Sequence, residues 1–113
     1  METYEITAWN DAAVRVVRVE GEFDLAACAC FRLASELAES ELVVVDLRAA
    51  TFLDSHALGE LIALQRESSR RGAHLAILRP QGAADRIFKL TGMDGHLPLY
   101  DDRVPVLAQF NYG

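Results

Sequence analysis

The chain has 113 residues, of which 51% are hydrophobic and 25% charged. That is the size and composition of one domain with enough apolar surface to build a core, and it excludes a disordered chain. Seventeen acidic against eleven basic residues leave a net charge of −6, a field that repels nucleic acid and anionic membranes.

No apolar run reaches the roughly 20 residues of a membrane span. The opening residues carry Glu2 and Glu5 where a signal peptide would be positive, so a cytoplasmic location is expected. In chain order, Tyr4 to Ala8 and Ala13 to Val19 are β-favouring runs around Asn10-Asp11, the pattern of a hairpin. After Gly21, Asp24 offers a helix N-cap followed by Ala27, Phe31, Ala34, Leu37 and Ala38 on one stripe. Cys28 and Cys30 fall on different faces of that helix, which disfavours a mutual disulfide or a metal clamp and reads as two buried free thiols. Leu42 to Val45, ending at Asp46, is an aliphatic run too short for a helix and suits a strand covered on both faces.

Residues 56 to 71 form the next helix, with Leu58, Leu61, Ile62 and Gln65 on one face and Arg70, Arg71 and Gly72 at its end. Leu75 to Leu78 reads as a strand, Ala83 to Leu90 as a short helix, and Leu97 to Tyr100 as a further strand. A last helix starts near Asp101-Asp102 with Val104, Leu107 and Phe110 on its stripe, Pro105 being tolerated in the first turn. Strands alternating with helices after a hairpin imply an α/β fold with a mixed central sheet of about five strands and about four helices, formed by residues 1–113 as one domain.

The chemistry concentrates in Phe52-Leu53-Asp54-Ser55-His56-Ala57-Leu58-Gly59, at the mouth of the second long helix. Asp54 or Ser55 as a cap would account for both residues at about 1 kcal/mol. The same helix end also favours an added phosphate, and a phosphoserine at Ser55 changes the local charge by about −1.5 to −2. A hydrolytic triad fails on geometry, because sequence neighbours do not line up so that each bonds the next. An imidazolium at His56 would oppose the helix dipole. His56, His74 and His96 lie in separate segments with no paired-ligand spacing, so no metal is expected. No glycine-rich phosphate loop is present, so no cofactor is expected. Asp46 and Asp54 at strand ends read as caps rather than an acid/base pair.

Several fragments in order resemble the STAS domain of anti-sigma factor antagonists. Gly21-Glu22-Phe23-Asp24 is similar to the signature after the family's second strand, and Val44-Val45-Asp46-Leu47 to its central strand. Phe52-Leu53-Asp54-Ser55 with Leu58-Gly59 is similar to its phosphorylation motif, and Phe88-Lys89-Leu90-Thr91-Gly92-Met93 to a late segment. The resemblance implies a non-enzymatic, cytoplasmic partner switch: the chain captures an anti-sigma factor that is also a serine kinase, which then inactivates it by phosphorylating Ser55. Asp24, Asp54, Ser55, His56, Leu58 and Gly59 would form the partner-binding set. Where the family continues with Ser or Thr and then Gly, this chain has His56 and Ala57. The alternatives are a constitutive STAS scaffold in a stress-signalling or lipid-transport ATPase complex, with Ser55 only a cap, and a small hydrolase using Asp54 and His56.

Overall fold

The computed structural model describes residues 3–36 and 40–109. Its elements are β1 (Tyr4–Asp11), β2 (Val14–Phe23), α1 (Leu25–Ala34), β3 (Leu42–Asp46), β4 (Ala50–Leu53), α2 (Ser55–Arg70), β5 (His74–Leu78), α3 (Arg86–Leu90), β6 (Leu99–Tyr100) and α4 (Arg103–Gln109). Single 3₁₀ turns precede α3 and follow it. The sheet runs β1-β2-β3-β5-β6, antiparallel at the hairpin and parallel elsewhere, as the alternating pattern implied.

The hairpin departs from the expected turn. Asn10 and Asp11 lie within β1, paired with Arg15 and Val14, and the chain reverses at Ala12 and Ala13. Ala12 takes φ 53°, a conformation an alanine adopts at a cost of roughly 1–2 kcal/mol. The pairing of all eight residues of β1 with the valine-rich β2, not the turn chemistry, therefore sets the register.

β3 is buried along its whole length, since helices cover both faces of the sheet there. On one face α1, α2 and α3 enclose the larger core, with Phe23, Phe31, Leu61, Ile77 and Phe88 at its centre. Phe23 and Phe31 meet with ring centroids 4.8 Å apart at 43°. On the other face Val14, Val16, Leu42, Val44, Ala76 and Leu78 pack around Val106 of α4. Here the expected stripe is corrected: Val104 is exposed and Val106 is the buried anchor, while Phe110 lies outside the described residues. In α1, Ala27 and Phe31 face the core as expected, and Leu37 and Ala38 lie outside the described residues.

One strand is additional to the expected set. β2 is ten residues long, and β3 pairs with Val14 to Arg18 while β4 pairs with Gly21 to Phe23. The step between the two partners falls at Gly21, where φ is +81° and an added Cβ would collide with the Thr3 carbonyl oxygen. Only glycine fits that bend. Burial in β4 does not alternate, because Thr51 and Phe52 are both exposed, and this hides the strand from a period-two reading.

Candidate functional site

β2 and β4 run parallel and stop together, with Glu22 paired to Phe52 and Phe23 to Leu53. Each is followed at once by an aspartate and a helix: Asp24 caps α1 and Asp54 caps α2. The Asp54 amide donates to the Phe23 carbonyl at 3.3 Å, so the two helix mouths are held side by side. The pairing of β4 with the last residues of β2 is what places two positive helix ends on one surface.

The caps are made by carboxylates. Asp24 Oδ1 accepts from the Ala26 amide at 3.1 Å. Asp54 Oδ1 accepts from the amides of His56 at 2.9 Å and Ala57 at 3.0 Å, and its Oδ2 lies 3.3 Å from Nδ1 of His56. Partial burial alone would raise the Asp54 carboxyl, but the two amides and the His56 ring outweigh it and hold the group below the usual carboxylate value. Capping thus falls to Asp54. Ser55 is the first helical residue, exposed, with its hydroxyl outside the cap.

His56 is half exposed beside Ser55. Its ring bonds Asp54, and among the described residues no hydrogen bond links it to the Ser55 hydroxyl, so the three neighbours do not form a relay. Ala57 is fully buried: the methyl that replaces a hydrogen at this motif position points into the core and leaves the surface unchanged. Leu58 is also in the core, at 7% exposure. Of the six expected contact residues it is therefore the one that offers no surface; it anchors α2 from beneath. Gly59 is exposed one turn further along, and Asp24 is half-buried.

Two features beside the site escaped the sequence reading. Arg32 of α1 grips Glu60 of α2 through Nε–Oε1 at 3.0 Å and Nη2–Oε2 at 2.7 Å, tying the helices together just past Gly59. Beyond that pair a groove of about 540 Å³ runs between the helices over Ala63 and Leu64. Leu25 and Leu33 are exposed on α1, whose ten residues hold one charge, Arg32; that sparse charge is the sequence signal for an apolar outer face. Cys28 is buried, and burial, with the nearby carboxylates of Glu60 and Asp54, pushes its thiol up. Cys30 is only half-buried, which corrects the expectation of two buried thiols.

The second aspartate considered as an acid/base partner is elsewhere. Asp46 is 5% exposed on the α4 side and chelated by Arg48, with Nε and Nη2 each at 3.0 Å. Burial would raise its carboxyl, but the Arg48 side chain and amide hold it below the usual value. It is a structural ion pair. Among the described residues no group of three metal-ligating side chains converges, and no helix is long and apolar enough to cross a membrane.

A family model described as "Mlab, STAS domain" matches residues 7–101. The chain belongs to the STAS family. A curated relative of this STAS domain, the anti-sigma F factor antagonist of Paenibacillus polymyxa, is 25% identical over 109 residues, spanning 93% of both chains. An anti-sigma factor antagonist from Mycobacterium paratuberculosis superposes with a TM-score of 0.81 at 26% identity, over 94% of this chain and 92% of that one. The anti-sigma factor antagonist SpoIIAA in its unphosphorylated form gives 0.78 at 16% identity, over 95% and 97%. The Bacillus SpoIIAA in its phosphorylated form gives 0.70 at 17%, over 93% and 97%. At those two identities the likeness is one of fold.

Proposed function

We propose that this STAS domain is a cytoplasmic anti-sigma factor antagonist without catalysis of its own. It docks an anti-sigma factor that carries serine kinase activity, and phosphorylation of Ser55 ends the complex. The observation that carries the reading is the division of labour at the α2 mouth: Asp54 supplies the cap, so the exposed Ser55 hydroxyl is not needed by the fold. The contact surface is Asp24, Asp54, Ser55, His56 and Gly59, with Leu58 fixing the helix below them. The names of the relatives, and the existence of a phosphorylated SpoIIAA, support it.

The switch is electrostatic. Asp24 and Asp54 already face this surface, and a phosphate on Ser55 adds about −1.5 to −2. An interface that accommodates two carboxylates must then desolvate or oppose a third anion. A loss of about 2.8 kcal/mol is a hundredfold in affinity, within the range of one such group.

Titration calorimetry against the kinase-type anti-sigma factors of the host tests this. Ser55→Glu is expected to bind at least about tenfold more weakly than wild type, and incubation with kinase and ATP is expected to place phosphate on Ser55 by mass spectrometry. Equal affinities for wild type, the Glu variant and a phosphorylated sample would refute the switch. A second reading is favoured by His56, whose half-exposed ring sits where a kinase would meet a small hydroxyl. In that reading the domain is a constitutive subunit of a stress-signalling or lipid-transport ATPase complex, and no host kinase modifies it.

A further inference from the structure

The two faces of the sheet are covered unequally. The larger core lies under α1, α2 and α3, whereas the smaller one packs around a single residue of α4, Val106. α4 is seven residues long, and Val106 is the one it buries. Val104, Pro105 and Ala108 face solvent. The ionic contacts of the segment leading into α4 are long: Asp102 lies 3.8 Å from Arg48, and Asp101 lies 4.0 Å from Arg79. Each arginine already holds another aspartate through two shorter bonds, Arg48 holding Asp46 and Arg79 holding Asp85. Asp101 and Asp102 are exposed, so their pairs add little to the hold on α4. Arg103 opposes it, because its Nε is buried with no hydrogen-bond partner among the described residues, and such a donor is costly to keep from water.

We infer that α4 is a strap that lifts from the sheet while the rest of the fold stays closed, and so bares the apolar face formed by Val16, Val44 and Ala76. The hold on α4 is the burial of Val106 and the bond from the Tyr100 hydroxyl to Oε1 of Gln109 at 2.9 Å. Against it stand the unpaired Arg103 donor and the entropy of ordering the segment. The tether is β6, whose two residues pair with β5, and Asp101-Asp102 is the hinge between β6 and the helix. The sheet beneath does not depend on the strap. β3 is paired on both sides, by β2 and β5, and its other face is sealed by the larger core. Lifting α4 therefore breaks few contacts and returns the Arg103 donor to water, whereas releasing the larger core breaks the fold. The bared face lies on the side of the sheet opposite α2, so the device is separate from the switch at Ser55.

Neighbouring residues of β3 give the test, because Val43 is sealed in the larger core and Val44 lies in the smaller one. Val43→Cys and Val44→Cys are made separately in the full chain, and alkylation of each new thiol by iodoacetamide is timed by mass spectrometry. The thiol at 44 is expected to react at least about tenfold faster than the thiol at 43. Mild urea is expected to quicken the reaction at 43 steeply and that at 44 only slightly, since lifting the strap exposes far less surface than unfolding. Arg103→Met removes the unpaired donor and is expected to slow the reaction at 44 by about fivefold or more. If either β3 variant fails to fold, Leu75→Cys and Ala76→Cys repeat the comparison on β5, where Leu75 belongs to the larger core and Ala76 to the smaller. Equal rates on the two faces, with equal dependence on urea, overturn the inference. So does a rate at 44 that Arg103→Met leaves unchanged.

Discussion

Replacing Asp54 separates the cap from the switch. Asp54→Ala removes the acceptor of two α2 amides, those of His56 and Ala57, and leaves both without an intrahelical partner. The expected cost is about 1–2 kcal/mol, which for a domain of this size lowers the melting temperature by about 4–8 °C per kcal/mol. Asp54→Asn keeps a carbonyl oxygen at the same place and is expected to recover most of the loss. What the amide does not recover is the charge term, and its pH dependence has a definite sign. A carboxyl held below its unfolded value stabilises the fold above that unfolded value and gives the stabilisation up as the pH falls through the folded one. The difference between wild type and Asp54→Asn is therefore full at neutral pH and shrinks to nothing in acid. Asp46, also held low, is present in both proteins and cancels from the difference. Thermal melts followed by circular dichroism at a series of pH values measure it. An Asp54→Ala protein that melts with wild type, or a wild-type advantage over Asn that persists in acid, would refute the assignment of the cap to this carboxylate.

Three further outcomes are expected. Arg48→Met leaves the buried Asp46 carboxylate with the amide of residue 48 and the charge of Arg18, and because Arg48 is itself part exposed the loss belongs at the lower end of the range for a broken buried pair, about 3 kcal/mol, read by urea unfolding. Gly21→Ala forces a side chain into the left-handed region against the Thr3 carbonyl and is expected to cost more than about 1 kcal/mol, with amide exchange quickening first at the start of β1; unchanged stability would mean the strand step does not depend on that bend. Ser55→Ala and Ser55→Glu are both expected to melt within about 0.5 kcal/mol of wild type, since the residue is exposed and outside the cap; a large loss in either would turn any binding defect into a folding defect.

The legible parts of the fold were those where burial and local chemistry agree. Leu42 to Val45 is buried on both faces and reads as such, and Asp24 ahead of Ala27 and Phe31 announces α1. The second long helix was visible from Leu58 and Leu61, yet Leu64 and Ser68 complete its buried face; Ser68 is hidden there because its hydroxyl returns a hydrogen bond to the Leu64 carbonyl at 2.7 Å. β4 was invisible because two of its four residues face solvent and its pairing with β2 is stepped at Gly21. That omission matters at the site. Without β4 the proximity of Asp24 and Asp54, 30 positions apart, has no local signal, and the grip of Arg32 on Glu60 is equally a product of tertiary structure.

The departure at residues 56 and 57 divides into two effects. Ala57 faces the core, so its methyl adds packing to α2 and leaves the outer surface as a glycine would. His56 changes that surface, and its ring is tied to the oxygen of Asp54 that the cap leaves over. The consequence reaches Ser55 through Asp54: the His56 ring bonds the same carboxylate that caps the helix, and a phosphate on Ser55 would compete with that carboxylate for the ring nitrogen. His56→Ser removes the competitor and keeps the cap. If the ring tempers the phosphate charge, phosphorylation is expected to weaken binding of the anti-sigma factor by a larger factor in the Ser variant than in wild type, each compared with its own unmodified form. An equal factor of loss on phosphorylation in the two proteins would assign the ring to partner contact alone.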